Sequence, residues 1–109
     1  MSYENYRANL LEVDEITEVE TFKKFDGEKL QYHLIPPSTL KGLAQVLTYG
    51  ANKYSAENWR TVDDKNRYVS ALYRHLELWR EGEVLDSESG LPHLSHALTN
   101  VAFLLELEK

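Results

Sequence analysis

From Leu40 onward the apolar residues recur at intervals of three and four, the spacing that gathers them on one side of an α-helix. Leu40, Leu43, Ala44, Leu47, Ala51 and Tyr54 make the first series, with Lys41, Gln45, Thr48 and Asn52 across from it. Pro36-Pro37 stops whatever precedes it, and Ser38 is placed to cap the new helix. Gly50 interrupts the series, as a helix end or a close backbone contact does. The polar stretch SAENWRTVDDKN then reads as a connection, with Asp63 or Asp64 as the cap of a second helix. Tyr68, Leu72, His75, Leu76 and Trp79 form that helix's buried stripe, which runs to about Arg80. EGEVLDSESGLP is a loop, and a third helix runs from about Pro92, suited to a first turn, nearly to Lys109.

The first third is less regular. Asp26-Gly27 stands between two segments of strand-like composition, which predicts a hairpin or an extended loop. The chain is therefore expected to be mostly α: a small bundle of three main helices with an irregular or hairpin-containing N-terminal third. Within a single domain, residues 1–17 read as an acidic arm, 18–36 as an extended or hairpin segment and 38–109 as the helical core. A helical chain of 109 residues often completes its core by pairing with copies of itself, so a homo-oligomer is expected.

The third helix carries polar residues that a merely packed helix has no use for. At about 100° per residue, Ser95, Thr99, Ala102 and Glu106 cluster on what should be the solvent side. His93, His96 and Asn100 fall in a narrow arc across from them, beside Ala97, Leu104 and Leu107. His75 sits within the buried stripe of the second helix, so three imidazoles and an amide should converge. Burying such groups unpaired costs on the order of 1–3 kcal/mol each, so the cluster is expected to line a polar pocket. The alternative is that the histidines only satisfy one another inside a structural domain.

Composition narrows the partners. The net charge of −6 argues against a nucleic-acid polymer but leaves room for a small phosphorylated ligand held by a few cations. EVDEITEVE concentrates five carboxylates near the start, whereas the stretch from Lys41 to Arg80 is basic on balance. Without cysteine, thiolate chemistry and disulfides are excluded, which fits a cytoplasmic protein. No apolar run has membrane-spanning length, and MSYENYRANL lacks the plan of a secretory signal.

In the basic stretch, Arg67 and Arg74 are seven apart on one helix and project along one line. Lys53, Tyr54, Asn58 and Trp59 join a cation, an amide and two rings within seven residues. Rings that stack on a base beside cations that pair with phosphate are what a nucleotide site requires. Glu83, Asp86 and Glu88 can supply oxygens to a metal near the histidine pair, although no HExxH or EF-hand pattern is present.

LIPPSTLKGLAQVLTYGANKYSAENW, followed by RYVSALYRHLELWREGEVLDSESGLPHLSHALTNVAFLL, resembles the phage-borne dATP/dGTP diphosphohydrolase family, N-terminal domain, over residues 22–107. KKFDGEKL is similar to a looser form of that family's K-x-D-x-G-K stretch, with Asp26 and Lys29 as the corresponding residues. The resemblance implies a nucleotide ligand, with Lys53, Tyr54, Asn58, Trp59, Arg74, His75, Glu83, Asp86, His93 and His96 at matching positions. All-α NTP pyrophosphatases of the MazG kind hold magnesium with ExxE and ExxD carboxylates on facing helices, and no such pair on facing helices is read here.

Two functions follow. In the favoured one, the chain captures a phosphorylated nucleotide or nucleotide-derived signal without turning it over and needs no cofactor. Lys53, Arg67 and Arg74 take phosphate, Tyr54 or Trp59 takes the base, and His75, His93, His96, Asn58 and Asn100 bond polar edges. In a phage setting that is a counter-defence sponge, by analogy. In the other, it converts dGTP or dATP to the monophosphate, with Mg²⁺ on Glu83 and Asp86, His75 or His93 as general base, and Arg74 steadying phosphate charge.

Overall fold

The structure, a computed structural model, describes residues 21–23 and 27–109. The chain divides into two compact units, one ending at Gln31 and the other running from Tyr32 to Lys109. The acidic arm, the first arm of the expected hairpin and Asp26 at its turn lie outside or largely outside the described residues. Where the second arm is described it is not a strand. Gly27 and Glu28 form a turn, and Tyr32–Leu34 close into a short 3-10 turn. The proline pair that follows lacks the amide donors a strand needs for pairing.

Three α-helices make up the second unit. Helix α1 spans Pro37–Lys53, with Pro36 at its cap position and Pro37 in the first turn, so Ser38 lies inside the helix instead of capping it. A 3-10 turn, Asn58–Thr61, leads to α2, Asn66–Arg80. Asp64 serves its start by accepting the Asn66 amide at 2.9 Å. Helix α3, His93–Leu107, begins after Pro92. Among the described residues there is no strand, only an isolated antiparallel bridge between Leu85 and Pro92. No described helix is long and apolar enough to cross a membrane.

Helix α3 is central. Helices α1 and α2 pack on it from two sides and barely touch each other. That arrangement overturns two expectations about faces. On α1 the buried residues are Gly42 and Val46, whereas Leu40, Leu47 and Tyr54 are exposed. Gly42 is the reason: a Cβ there would sit 2.5 Å from Ser95 Oγ on α3, so the helices approach through their small residues. On α3 the expected solvent side faces protein. Thr99 is buried and donates its hydroxyl to the Ser95 carbonyl at 2.8 Å, while Leu94, Val101 and Leu105 are exposed. A helix with neighbours on two sides shows solvent only a narrow strip, and the angular pattern cannot say which. Trp79, expected in the α2 stripe, is also exposed.

A second apolar centre lies where the Asn58–Thr61 turn meets α3. Trp59 stacks on Phe103 with centroids 4.6 Å apart, Tyr68 leans on the same ring at 5.0 Å, and the Tyr68 hydroxyl donates to the Trp59 carbonyl at 2.6 Å.

Replacing Gly42 with leucine should force α1 off α3 and cost on the order of 1–3 kcal/mol, as overpacking does. Urea unfolding of Gly42→Leu measures it, and a variant as stable as the parent would show that the close approach is absent.

Candidate functional site

Because α1 and α2 lean on α3 but not on each other, a cavity of about 760 Å³ opens between them. Its volume is in the range of small-molecule sites, roughly 300–1,000 Å³. His96, Asn100 and Phe103 of α3 form its floor, with Tyr49 and Lys53 from α1, Arg67 and His75 from α2, and Asp86 and Glu88 from the loop.

The imidazoles expected to converge do so. His93 is fully buried, and both of its nitrogens are engaged. Its Nε2 lies 2.7 Å from Glu83 Oε2 and its Nδ1 lies 2.8 Å from Nδ1 of His75. An ionised carboxylate only accepts, so His93 donates from Nε2. Nδ1 of a neutral His93 is then an acceptor, and His75 donates to it from its own Nδ1. His96 lies flat against His75, centroids 4.5 Å apart and planes 7° from parallel, with its Nε2 2.7 Å from Ser89 Oγ. Asn100 donates to the His96 carbonyl at 2.9 Å, and Tyr49 meets the His96 ring edge-on. Burial, then the neighbouring His96, lowers the His75 pKa, and burial lowers that of His96, so both favour the neutral ring.

The loop between α2 and α3 is held by its backbone. Gly82, at φ +104°, ends α2 in a Schellman motif: its amide bonds the Trp79 carbonyl and the Glu83 amide bonds the Leu78 carbonyl, each at 3.0 Å. That reversal carries Glu83 directly to His93. Further on, the His93 amide bonds the Val84 carbonyl at 2.9 Å, and the Asp86 amide bonds that of Leu91 at 2.8 Å. Asp86 accepts the Ser89 amide at 2.8 Å. Burial works to raise the Asp86 pKa, but the Ser89 bonds and the nearby imidazoles outweigh it and hold the group below the ordinary value.

One ligand atom from each of His75, Asp86 and His93 lies within 4.8 Å of the other two. Two imidazole nitrogens and a carboxylate are thus gathered as a ligand set that suits a divalent ion. Asp86, expected as a metal ligand, belongs to the set. Glu83, its expected partner, instead stands behind His93.

The cations are largely spoken for. Lys53 is ion-paired with Glu88, which raises the lysine pKa and lowers that of the glutamate, and Tyr49 also donates to Glu88. Arg67 lies 3.4 Å from Asp63. Arg74 is exposed and off the cavity wall. Asn58 is on that wall, as are both rings. Trp59 is already stacked on Phe103, with the Arg60 guanidinium 4.3 Å from its centroid. Tyr54 is exposed and has the Lys53 ammonium over it, at 5.3 Å, so its ring is the less covered of the two.

Sequence reasoning missed Tyr49 and Ser89 and gave Glu88 only a metal role. Tyr49 lies outside the apolar series of α1, and loop residues have no period to read. The one available signal was the spacing Asp86-x-x-Ser89, which suits an aspartate accepting an amide three residues on.

Residues 19–109 match the family described as dATP/dGTP diphosphohydrolase, N-terminal. Over 84 residues the chain is 33% identical to a dATP/dGTP diphosphohydrolase of Salmonella phage PMBT28, covering 77% of this chain and 29% of that one. The chain therefore spans less than a third of the length of the curated relative it matches. No solved structure matches.

Gly82→Ala should cost about 1–2 kcal/mol, since a Cβ finds open space there and only the left-handed backbone resists it. Equilibrium unfolding tests this, and a neutral substitution would show that the reversal delivering Glu83 is not under conformational constraint.

Proposed function

Because the chain belongs to the dATP/dGTP diphosphohydrolase family, N-terminal part, we propose that it binds a purine deoxynucleoside triphosphate in the cavity between α1 and α2 and acts on its phosphate chain. The reaction adds water across the α–β phosphoanhydride, giving the monophosphate and diphosphate. The gathering of His75, Asp86 and His93, the first two on the wall of a nucleotide-sized cavity, carries this reading.

Charge on the wall supports it. Lys53 and Arg67 stand against Asp63, Asp86 and Glu88, two cations to three carboxylates. Such a wall does not attract a triphosphate unaided. His75, Asp86 and His93 would hold a divalent cation, and such an ion would supply the missing positive charge and activate water. The protein's own groups do the rest. Glu83 fixes the His93 ring, and the Ser89 amide fixes Asp86. With His75 and His93 committed to the cation site, His96 on the cavity floor beside Asp86 would act as general base, Ser89 Oγ meeting its Nε2 and its Nδ1 having no partner among the described residues. The exposed Tyr54 ring receives the base, and Lys53 exchanges Glu88 for phosphate.

Capture without turnover is the second reading, and one observation favours it: Glu83, a carboxylate expected to hold magnesium, is committed to His93 instead. In that case the occupant is a phosphorylated nucleotide or nucleotide-derived signal, and sequestration is the function.

Incubation with dATP, dGTP, dCTP and dTTP, with and without divalent metal, followed by chromatography before and after heat denaturation, separates the two. Hydrolysis predicts metal-dependent monophosphate from the purine nucleotides and a loss of at least roughly 10–100-fold in Asp86→Asn. Intact nucleotide released only by heat establishes capture and sinks the enzymatic reading. In either case Glu88→Gln should tighten nucleotide binding roughly two- to fivefold at low salt, the worth of an exposed ion pair. Unchanged or weaker binding would place the phosphates away from Lys53.

A further inference from the structure

We propose that the His75–Asp86–His93 cluster is a resident site for a borderline transition cation of the zinc, cobalt or iron(II) class, with Glu83 as the residue that orients His93 toward it. The inference deepens the hydrolase reading, yet it concerns what the empty-handed protein binds, with no nucleotide present.

Four observations carry it. The donor set is two imidazole nitrogens and one carboxylate oxygen, all within 4.8 Å of one another. Imidazole donors suit zinc, iron and nickel, whereas magnesium prefers carboxylate and water oxygens. His93 has the build of a metal-ligating histidine: its outer nitrogen bonds a carboxylate at 2.7 Å, which leaves the inner nitrogen with its lone pair facing the cluster. Glu83 is half exposed while His93 is fully buried, so this carboxylate reaches in from the surface to hold the ring.

The third observation is the short approach of the two inner nitrogens, Nδ1 to Nδ1 at 2.8 Å. Ligands about 2.0–2.1 Å from one ion and roughly at right angles are ~2.9 Å apart, and tetrahedral ones ~3.4 Å. The rings thus stand about where a shared ion needs them, within a small rotation of the His75 side chain. When the ion binds, the proton on His75 Nδ1 moves to its Nε2, the metal–nitrogen bond replacing the hydrogen bond to His93. Neither ring changes charge.

Fourth, the site borders the cavity. His93 closes it from within, whereas His75 and Asp86 are on the cavity wall. Three protein ligands with further positions facing a cavity is the plan of a site that receives an exchangeable oxygen ligand, as opposed to a closed structural site.

Titration of the nucleotide-free protein with Co²⁺, followed by visible absorption, tests the proposal. The expected result is one equivalent bound, with the d–d bands of a nitrogen- and oxygen-ligated ion, displaced by Zn²⁺ and untouched by a large excess of Mg²⁺. Asp86→Asn and His75→Gln should abolish the bands with the helical circular dichroism retained. Glu83→Gln should weaken binding roughly 10–100-fold. His33→Ala, which lies outside the set, should leave the bands in place. Nitrogen-15 spectra with Zn²⁺ should show the His75 proton moving from Nδ1 to Nε2. Displacement by Mg²⁺, or bands that survive Asp86→Asn and His75→Gln, would overturn the inference. If purine nucleotides are hydrolysed with Mg²⁺ while Co²⁺ does not bind, the metal inference fails and the hydrolase reading stands. If Co²⁺ binds as described but no nucleotide is turned over, the reverse holds.

Discussion

A fully buried imidazole with a partner on each nitrogen is the constraint from which the rest of this unit follows. His93 opens α3, so its two partners must arrive from elsewhere. One is His75, in the third turn of α2, and the other is Glu83, just beyond the end of α2. Leaving either nitrogen unpaired would cost on the order of 1–3 kcal/mol. Meeting both requirements sets where α2 lies on α3 and how the connecting chain must turn. The left-handed Gly82 and the backbone bonds of residues 83–93 are the means by which that turn is made. Histidine pairing, helix placement and loop shape form one cooperative arrangement.

That arrangement explains why the cavity exists. With α3 committed to α2 on its histidine side and to α1 through Gly42 and Ser95, the two outer helices cannot also meet each other. The Trp59–Phe103–Tyr68 centre props the far end of the gap. Trp59 is therefore a wall of the cavity, whereas Tyr54, five residues earlier, is exposed and has no ring stacked on it among the described residues. Two aromatic residues five apart in sequence have different work because one found an apolar partner and the other did not.

Electrostatics then distinguishes this pocket from a simple anion trap. Lys53 and Arg67 are paired with carboxylates, and Asp86 is held ionised in the wall. A small phosphorylated ligand must bring or find a compensating cation. The same acidic balance, within a chain of net charge −6, works against a long phosphate polymer, whose binding depends on many unpaired lysines and arginines.

By itself the sequence determined the helical class, the three helices, the ends of the second and third near Arg80 and Leu107, and the inward direction of His75, His93, His96 and Asn100. Helical periodicity and the prolines are local signals, and they survive folding because backbone hydrogen bonds in a helix are local too. Only the tertiary structure decided which other faces are inward. Ser95, Thr99, Gly42 and Val46 lie against protein while Leu40, Leu47 and Leu105 do not, because contact between helices is governed by how closely backbones approach. It also decided which neighbour each charged group found: Glu83 with His93, Glu88 with Lys53, and Arg74 apart from the cavity. Such pairings depend on distances of a few ångströms between segments remote in the chain, and no spacing along the chain encodes them.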